Sequence, residues 1–290
     1  MNAWIARGWI ALIEATARWP QSARTRLARA LGALLWWTVV PRRRITLTNL
    51  RACFPAMAEA ERRRIGRSLA DNIARAALDH GVLVRGSRDD VERYVRVEGL
   101  EHLLNAGGPL IAIAPHFVGL DAGGVRLNAA VRGMAMYSKQ KNPVWDAWLY
   151  AARKRFSDPV LIARQNADLR AMLRGLKSGL PLYFLPDMDL GRESSIFVPF
   201  FGVEAATVPA VSRLARMTGA RVLMAVTEMT EDGYVLHVEA PWTDFPGASP
   251  EADTERMNRE IERWVLRMPA QYLWTHKRFK TRPPGAASIY

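Results

Sequence analysis

His116 and Asp121 are the two residues whose types and spacing point most directly to chemistry. They lie in PLIAIAPHFVGLDAGG, residues 109–124, where an apolar run leads into Pro115 and then His116. Imidazole accepts a proton near neutral pH, and a carboxylate bonded to its other ring nitrogen fixes the tautomer and stabilises the imidazolium. We expect Gly119 to let the backbone turn, so that Asp121 comes back under the ring.

The pair predicts a general base. No serine or cysteine is placed to act as a nucleophile, so His116 would activate a hydroxyl group that the substrate brings. Taken alone, a histidine and an aspartate five residues apart are more typical of a structural histidine hydrogen-bonded at a helix start. The rest of the sequence has to decide between these two interpretations.

Short apolar segments typical of β-strands alternate with helical segments from residue 94 onward. This alternation predicts an α/β fold with a central, mostly parallel sheet flanked by helices. In such folds functional groups gather where strands end and helices begin, which is where His116 and Asp121 fall. The predicted strands are 94–97, 110–114, 133–137, 159–162, 182–185, 220–227 and 234–239, and the predicted helices are 59–84, 121–131, 143–156, 167–177, 209–218 and 250–268.

The first 65 residues differ in composition from the rest of the chain. They contain twelve arginines against three glutamates, a net charge of +9, and five tryptophans, Trp4, Trp9, Trp19, Trp36 and Trp37. Pro20 and Pro41 are expected to end two helical segments. At 100° per residue, one side of the first helix carries apolar residues and the other carries charges. The apolar side consists of Ile5, Trp9, Leu12, Ile13 and Thr16, and the charged side of Arg7, Glu14 and Arg18.

A helix with tryptophan on one side and arginine on the other is typical of a lipid–water interface. We therefore predict that residues 1–41 contact a membrane; the alternative is an ordinary helix packed on its own domain. The longest charge-free apolar run here is residues 31–40, LGALLWWTVV. A spanning helix needs about 20 apolar residues, so surface attachment is expected. No cleavable signal peptide is evident.

The whole chain of 290 residues is strongly basic, with Lys plus Arg 41 against Asp plus Glu 28 and a net charge of +13. Only six of the cations are lysine. The planar guanidinium fork pairs well with phosphate and carboxylate. The composition therefore predicts an anionic partner, which could be a nucleic acid, an anionic membrane surface or an acidic carrier protein.

The single cysteine, Cys53, excludes an intramolecular disulfide and is typical of a reducing compartment. We expect it to be buried as a small hydrophobe. The remaining histidines lack the spacing of metal ligands, and no metal site is expected. They are His80, His102, His237 and His276.

HFVGLD resembles the HX4D signature of the lysophospholipid acyltransferase superfamily. The chain as a whole resembles the lipid A biosynthesis (late, lauroyl or myristoyl) acyltransferases within it, because further blocks follow in the family's order. They are RRRITLTNLRACFP (42–55), VEGLEHL (97–103), the substrate-side segment 137–146 with KNPVWD, ARQNADLRAMLRGLKSG (163–179), LPDMDLGRESSIFVPFFGVEAATVPA (185–210) and WTHKRFKTRPPG (274–285). The family often has glutamine where this chain has Met188.

The resemblance implies a glycerolphosphate-acyltransferase-like α/β domain over residues 42–290, preceded by the membrane-associating segment 1–41. It implies that His116, oriented by Asp121, takes the proton from a hydroxyl of a lipid A precursor. The oxygen would then attack the thioester of an acyl carrier protein, with acyl-CoA as the alternative donor and no cofactor. The expected location is the cytoplasmic face of the bacterial inner membrane. Members of the family are often single-pass membrane proteins, so the resemblance keeps a single span open beside the surface attachment that the composition predicts.

The resemblance also implies substrate-binding residues. Arg164 would stabilise the oxyanion or hold a substrate phosphate. Asp187 and Asp189 would line the site, or else pair with arginines such as Arg192. Lys139, together with Arg192, completes the set of substrate-binding candidates.

Three further features keep two interpretations each. The apolar run SSIFVPFFG, residues 194–202, would shape an acyl tunnel or form a core strand. His276 would contact lipid phosphate or serve packing. The basic residues Arg42, Arg43 and Arg44, with Lys277, Arg278, Lys280 and Arg282, would attract an anionic lipid and an acidic carrier, or simply form a solvated basic face.

Two other functions compete with this one. A related acyltransferase would use the same chemistry on a glycerophospholipid, an ornithine lipid or a glycolipid. A basic, non-catalytic adaptor would bind nucleic acid or membrane and consume no thioester. Because nothing in the sequence resembles a nucleic-acid-binding module, we expect no nucleic-acid partner.

Overall fold

The computed structural model describes residues 2–164 and 169–290. Four helices precede the α/β region of the chain. They are α1 (Ala3–Thr16), α2 (Gln21–Thr38), α3 (Val40–Cys53) and α4 (Glu59–Arg85). Helix α2 ends before Pro41, whose fixed φ suits the first turn of α3.

An α/β region follows. Its strands are β1 (Val95–Glu98), β2 (Leu110–Ile113), β3 (Met134–Tyr137), β4 (Val160–Ala163), β5 (Leu182–Phe184), β6 (Ile196–Phe200), β7 (Val203–Thr207), β8 (Arg221–Met229) and β9 (Tyr234–Val238). Its helices are α5 (Arg88–Tyr94), α6 (Leu100–Leu104), α7 (Leu120–Ala130), α8 (Pro143–Arg153), α9 (Leu169–Lys177), α10 (Ala210–Thr218) and α11 (Pro250–Arg267). The first two residues of the predicted helix 167–177 lie outside the described residues, and the rest form α9.

Seven strands form one sheet in the order β1-β9-β8-β2-β5-β3-β4. All neighbouring pairs are parallel except β8 and β9, which form an antiparallel pair. The seven strands predicted from the sequence are these seven, so the mostly parallel α/β sheet is confirmed. Because helices cover both faces, a central strand such as β2 is buried along its whole length.

The side chains of β2 alternate between two apolar cores. Ile111 and Ile113 face a core that also contains Trp264 of α11. Leu110 and Ala112 face a second core, which includes residues of α7. The sheet is therefore held between two helical layers, with α7 and the helix it contacts, α4, on the same side.

Strands β6 and β7 form a separate antiparallel hairpin, which the sequence did not predict as a hairpin. Its turn is Phe201-Gly202, both with positive φ (51° and 74°). Two-residue turns of this kind match the twist of a β-hairpin. Phe200 is fully buried beside Tyr272 and Phe279.

The N-terminal helices pack closely on α4. Gly32 of α2 leaves no room for a side chain, because a Cβ there would lie 2.5 Å from the Cα of Asp71. Gly81 of α4 has the same role against α1, where a Cβ would lie 2.2 Å from the carbonyl oxygen of Ile13. A buried ion pair between Arg24 and Asp79, 3.1 Å apart, links α2 to α4.

The predicted apolar side of α1 is not buried as a whole. Ile13 and Thr16 are buried, whereas Trp9 and Leu12 are exposed. The face predicted as one apolar surface is thus shared between the protein interior and the outside. Among the described residues, thirteen large apolar side chains are exposed, and eight of them lie between residues 4 and 39. Within the described ranges, no helix is long and apolar enough to cross a bilayer.

Candidate active site

The predicted site residues gather at one edge of the sheet. His116 follows β2, Lys139 follows β3, Arg164 follows β4, and Asp187 follows β5. These four strands run parallel, so their carboxyl ends meet at the same edge. This is the crevice where α/β folds collect functional groups.

His116 is held by Asp187. Its ring Nδ1 lies 2.7 Å from Asp187 Oδ1, and its backbone N–H donates to Oδ2 of the same carboxylate at 2.9 Å. A carboxylate only accepts, so Nδ1 carries the proton and Nε2 is the nitrogen that can receive one. Asp187 is buried. It thus supplies the orientation and charge that a catalytic imidazole needs.

The prediction that Asp121 pairs with the His116 ring is wrong. Asp121 lies in the first turn of α7, and its carboxylate meets cations on two other helices. Arg153 of α8 donates from Nη2 to its Oδ1 at 2.9 Å, and Nε2 of His80 on α4 is 3.4 Å from its Oδ2.

Gly119 also has a role other than the predicted one. Its φ of −82° is open to any residue, so it does not permit a special turn. It permits close packing, because a Cβ there would lie 2.9 Å from the carbonyl oxygen of Thr227 on β8. Helix α7 therefore packs closely against the sheet.

Both carboxylates are held ionised. Burial raises the pKa of Asp187, but the charge and hydrogen bonds of His116 outweigh it and bring the pKa to about 2. Burial likewise raises the pKa of Asp121, and Arg153 with His80 overcomes that effect, so its pKa lies well below the usual range. The two acidic groups have different partners and cannot share a proton.

His116 and Asp121 do line the same cavity, which has a volume of about 260 Å³. Its wall is mainly apolar and includes Leu127, Met134 and Leu161. An apolar cleft with a few polar groups at one place is the usual form of a site for a hydrophobic ligand. The cavity lies between α7, α8 and the strands β2, β3 and β5, and it can receive a hydrocarbon chain.

The segment 194–202 does not shape this cavity. None of its residues, all of which the structure describes, is part of the wall. Its apolar side chains pack instead in the hairpin β6–β7, where Val198 and Phe200 are buried. The core-strand interpretation of SSIFVPFFG is confirmed for these residues.

The remaining candidates occupy different places around the site. Lys139 is exposed between Ser138 and Gln140, which both line the cavity. Arg164 is exposed directly after β4.

Asp189 has a structural partner, because its carboxylate accepts the backbone N–H and the hydroxyl of Thr281 at 2.6 and 2.8 Å. Arg192 donates to the carbonyl of Arg282 at 2.9 Å. Neither Asp187 nor Asp189 therefore pairs with Arg192.

The closing segment of the chain completes the surroundings of His116. The backbone N–H of Leu273 donates to the carbonyl of His116 at 2.8 Å, and that of Val118 donates to the carbonyl of Gln271 at 2.8 Å. The ring of His276 packs edge-on against that of His116, 5.5 Å between centroids. Burial, followed by the nearby charge of His116, lowers the pKa of His276 to about 4. His276 is therefore neutral near pH 7.

Sequence reasoning missed Arg153 and His80 as site residues. Arg153 lines the cavity, and both contact Asp121. One signal was available for Arg153, since it lies in the last turn of the predicted helix 143–156, the next element after the predicted strand 133–137. His80 carried no such signal, because its helix α4 precedes the whole sheet. In the described part of the chain, no three His, Cys, Asp or Glu side chains are grouped as metal ligands would be.

Cys53 is buried, as predicted. Burial raises the pKa of its thiol far above the usual range, so it is not a thiolate near neutral pH.

Comparison with known proteins places this site in a family. The family model described as bacterial lipid A biosynthesis acyltransferase matches residues 1–281. A lipid A biosynthesis lauroyltransferase of Escherichia coli K12 is 31% identical over 99% of this chain and 95% of its own length. A palmitoleoyltransferase of the same pathway and organism is 32% identical over 91% and 87%, and a myristoyltransferase is 30% identical over 100% and 90%.

Among solved structures, a 1-acyl-sn-glycerophosphate acyltransferase from Thermotoga maritima matches with a TM-score of 0.40 and 15% identity, covering 87% of this chain and 99% of that one. The family model and the curated relatives cover nearly the whole sequence and agree with each other. The chain belongs to the bacterial lipid A biosynthesis acyltransferase family and is an acyltransferase.

Proposed function

We propose that this enzyme moves a fatty acyl group from an acyl carrier protein thioester to a hydroxyl of a lipid A precursor, with His116 as general base. The observation that carries the proposal is the imidazole of His116. Its Nδ1 is fixed by buried Asp187, and the residue lines an apolar cavity. Acyl-CoA is the alternative donor.

The reaction follows from this arrangement. Nε2 of His116 takes the hydroxyl proton as the oxygen attacks the thioester carbon. The tetrahedral oxyanion then collapses, the C–O ester bond is complete, and the C–S bond breaks. The imidazolium returns its proton to the leaving thiolate, and Asp187 stabilises the positive ring in between. The acyl chain occupies the cavity beside Leu127 and Met134.

Arg164 and Lys139 are proposed to bind the anionic parts of the substrates. Both are exposed at the sheet edge that carries His116. An exposed guanidinium suits a phosphate, whereas an oxyanion at the reacting carbon needs a donor inside the cavity. We therefore assign Arg164 to a substrate phosphate. Asp121 stays in the proposed catalytic set because it lines the cavity with His116.

The N-terminal helices are proposed to attach the enzyme to the cytoplasmic face of the inner membrane. Trp4 and Trp37 are 72% and 63% exposed. A groove beside Trp37 is lined by Arg43, Arg44 and Lys277, which are suited to anionic headgroups. Lys277 directly follows His276, which touches the His116 ring, so lipid at this surface would lie near the catalytic residue.

A thiol-release assay tests the proposed function. The purified enzyme is given an acyl carrier protein thioester and a tetra-acylated lipid A precursor, and product lipids are identified by mass spectrometry. We expect His116→Ala to lose transfer by at least about 100-fold, since general base catalysis supplies about 10² to 10⁴. The matched control is His102→Ala, which removes a partly exposed histidine that is hydrogen-bonded by neither Asp187 nor Asp121.

Full activity in the His116→Ala protein would refute the mechanism. Transfer to a glycerophospholipid, an ornithine lipid or a glycolipid, with none to the lipid A precursor, would refute the proposed acceptor while leaving the mechanism in place. Assays with thioesters of different acyl chain lengths, each read out by the mass of the product lipid, would show which chains the cavity accepts.

A further inference from the structure

Asp121 is held on both of its oxygens by residues from two helices. Oδ1 accepts from Nη2 and Nε of Arg153 at 2.9 and 3.2 Å, and Oδ2 lies 3.4 Å from Nε2 of His80. Its side chain is 30% exposed, and Asp121 and Arg153 are both part of the cavity wall. This group of three charges is separate from the His116–Asp187 pair described above.

The hydrogen bonding of His80 determines its protonation state. Its Nδ1 is 2.8 Å from the carbonyl oxygen of Ala76, and a carbonyl can only accept, so Nδ1 must carry a hydrogen. In a neutral ring Nε2 would then present a lone pair to the carboxylate of Asp121, which is repulsive. The contact is favourable only when both nitrogens carry hydrogen, that is, when His80 is an imidazolium.

We propose that His80, as an imidazolium, and Arg153 are positioning residues that hold Asp121 on the wall of the acyl cavity during acyl transfer. This inference rests on the proposed function and extends the active site to α4, a helix that precedes the sheet. A carboxylate beside apolar groups is costly unless it is paired. The two cations keep it charged and fix its direction.

The electrostatics of the surroundings agree with this geometry. Burial lowers the pKa of His80, but Asp121 outweighs it, and the pKa is raised overall. Within the cluster, the positive charge of Arg153 opposes protonation of His80. Tyr183 of β5 lies beside the cluster, and its hydroxyl donates to the carbonyl of Leu120 at 3.0 Å. Arg153 is also near Asp146 and Tyr137.

Helix α8 is fastened so that the cluster keeps its shape. The indole N–H of Trp148 on α8 donates to Glu14 of α1 at 2.9 Å, and the Trp148 ring lies 6.0 Å from that of His80. Glu14 is also 3.7 Å from Arg85 of α4. Three helices, α1, α4 and α8, thus meet around His80, and the first helix of the chain takes part in supporting the active site.

Nuclear magnetic resonance of the full-length protein tests the protonation state without any substrate. We expect the two ring nitrogens of His80 to show imidazolium chemical shifts at pH 7, assigned by comparison with His80→Gln. In Asp121→Asn the same signals should change to those of a neutral ring at pH 7. A neutral His80 ring in the wild-type protein would overturn the proposal.

Kinetics test the role in acyl transfer. We expect Arg153→Met to lower kcat by about 10- to 100-fold, as misplacement of a site group does, with a much smaller change in KM for the acyl donor. The acid limb of its pH–rate profile should move to higher pH, since Asp121 loses its main cation. Arg153→Lys should restore part of kcat. In His80→Gln, which keeps a donor but cannot titrate, the alkaline limb should become shallower.

Arg155→Met is the matched control, because Arg155 is a neighbouring, half-buried arginine that donates to the carbonyls of Leu83 and Gly86 and is not in the cavity wall. A merely structural role predicts the same kinetics for Arg153→Met and Arg155→Met, with unchanged pH profiles, and that result would overturn the inference. Wild-type enzyme that transfers no acyl group would instead refute the proposed function, and the resonance experiment would still decide whether the cluster exists.

Discussion

At the scale of single residues, Asp187 controls His116 in two ways. One oxygen fixes the ring and the other fixes the backbone, so the imidazole and the main chain that carries it are both oriented by the same carboxylate. The sequence identified His116 and included Asp187 among the site residues, but gave the orienting role to Asp121. A five-residue spacing describes distance along the chain only. The true partner is 71 residues away, at the end of a neighbouring strand, and only the sheet order brings it close.

Asp187→Asn tests this assignment. The amide can still contact the ring but carries no charge and can present its N–H to Nδ1, which would favour the wrong tautomer. We expect kcat to fall by about 100-fold or more. Asp189→Asn serves as the control, because Asp189 bonds Thr281 and not the imidazole. Equal activity of the two variants in the thiol-release assay would contradict the role of Asp187.

His276 should make the protein sensitive to acid. Its pKa is lowered to about 4, from 6.5 for an ordinary histidine, because the ring is buried near His116. Between these values the unfolded chain binds a proton that the folded chain does not, so the free energy of unfolding falls as pH falls from about 6.5 to 4. The loss attributable to this group is up to about 3 kcal/mol.

Urea denaturation at several pH values measures this effect. The fall in unfolding free energy between pH 6.5 and 4 should be smaller in His276→Gln than in wild type. His102→Gln should leave it unchanged. An identical pH dependence in His276→Gln and wild type would mean that the folded protein binds this proton normally.

At the scale of elements, the sheet was predictable and the hairpin was not. The seven strands are short apolar runs bounded by turn residues, and successive strands of the sheet are separated by a helix except for β8 and β9. The apolar run seen in the sequence, residues 194–202, covers β6 and the turn but not β7, and Phe201-Gly202 at the turn is not a common hairpin dipeptide. Gly202 was the available signal, and its interpretation as a turn would have predicted a second strand after it.

The contact between α2 and α4 depends on Gly32. In Gly32→Ala the new Cβ would lie 2.5 to 2.6 Å from backbone atoms of Asp71, which cannot move aside alone. We expect a loss of about 1–3 kcal/mol in unfolding free energy, as overpacking typically costs. Gly8→Ala is the matched control, since nothing lies within 4 Å of its Cβ, and alanine should stabilise that helix by up to about 1 kcal/mol.

Urea denaturation of the two variants gives the comparison. Stabilisation of Gly32→Ala by as much as Gly8→Ala would show that helix propensity, and not the packing of α2 on α4, governs this region.

At the scale of the whole molecule, apolar exposure and positive charge occur together. Eight of the thirteen exposed large apolar side chains lie between residues 4 and 39 in the described chain, a stretch that holds five arginines against the single acidic residue Glu14. Composition predicted this concentration. It could not predict that Arg24 would be buried in an ion pair, because pairing with Asp79 depends on how α2 crosses α4.

Binding to lipid vesicles tests the surface. We expect the triple variant Trp4→Ser, Trp9→Ser and Trp37→Ser to bind phosphatidylglycerol vesicles at least about tenfold more weakly, because each large side chain contributes on the order of 1.5–3 kcal/mol when buried. The control variant changes Leu104, Met217 and Leu266, exposed apolar residues elsewhere, to serine. Cosedimentation at low and high salt should show weaker binding at high salt. Equal binding of both triple variants would contradict the proposed orientation.

The strand-like contact of residues 116–118 with 271–273 has a consequence for biosynthesis. His116 emerges from the ribosome more than 150 residues before the segment that packs against it, and Thr281, which bonds Asp189, emerges later still. A nascent chain therefore cannot assemble the proposed site around His116 until translation has passed residue 281 and that stretch has left the exit tunnel. We expect an interrupted translation product that stops before residue 271 to transfer no acyl group.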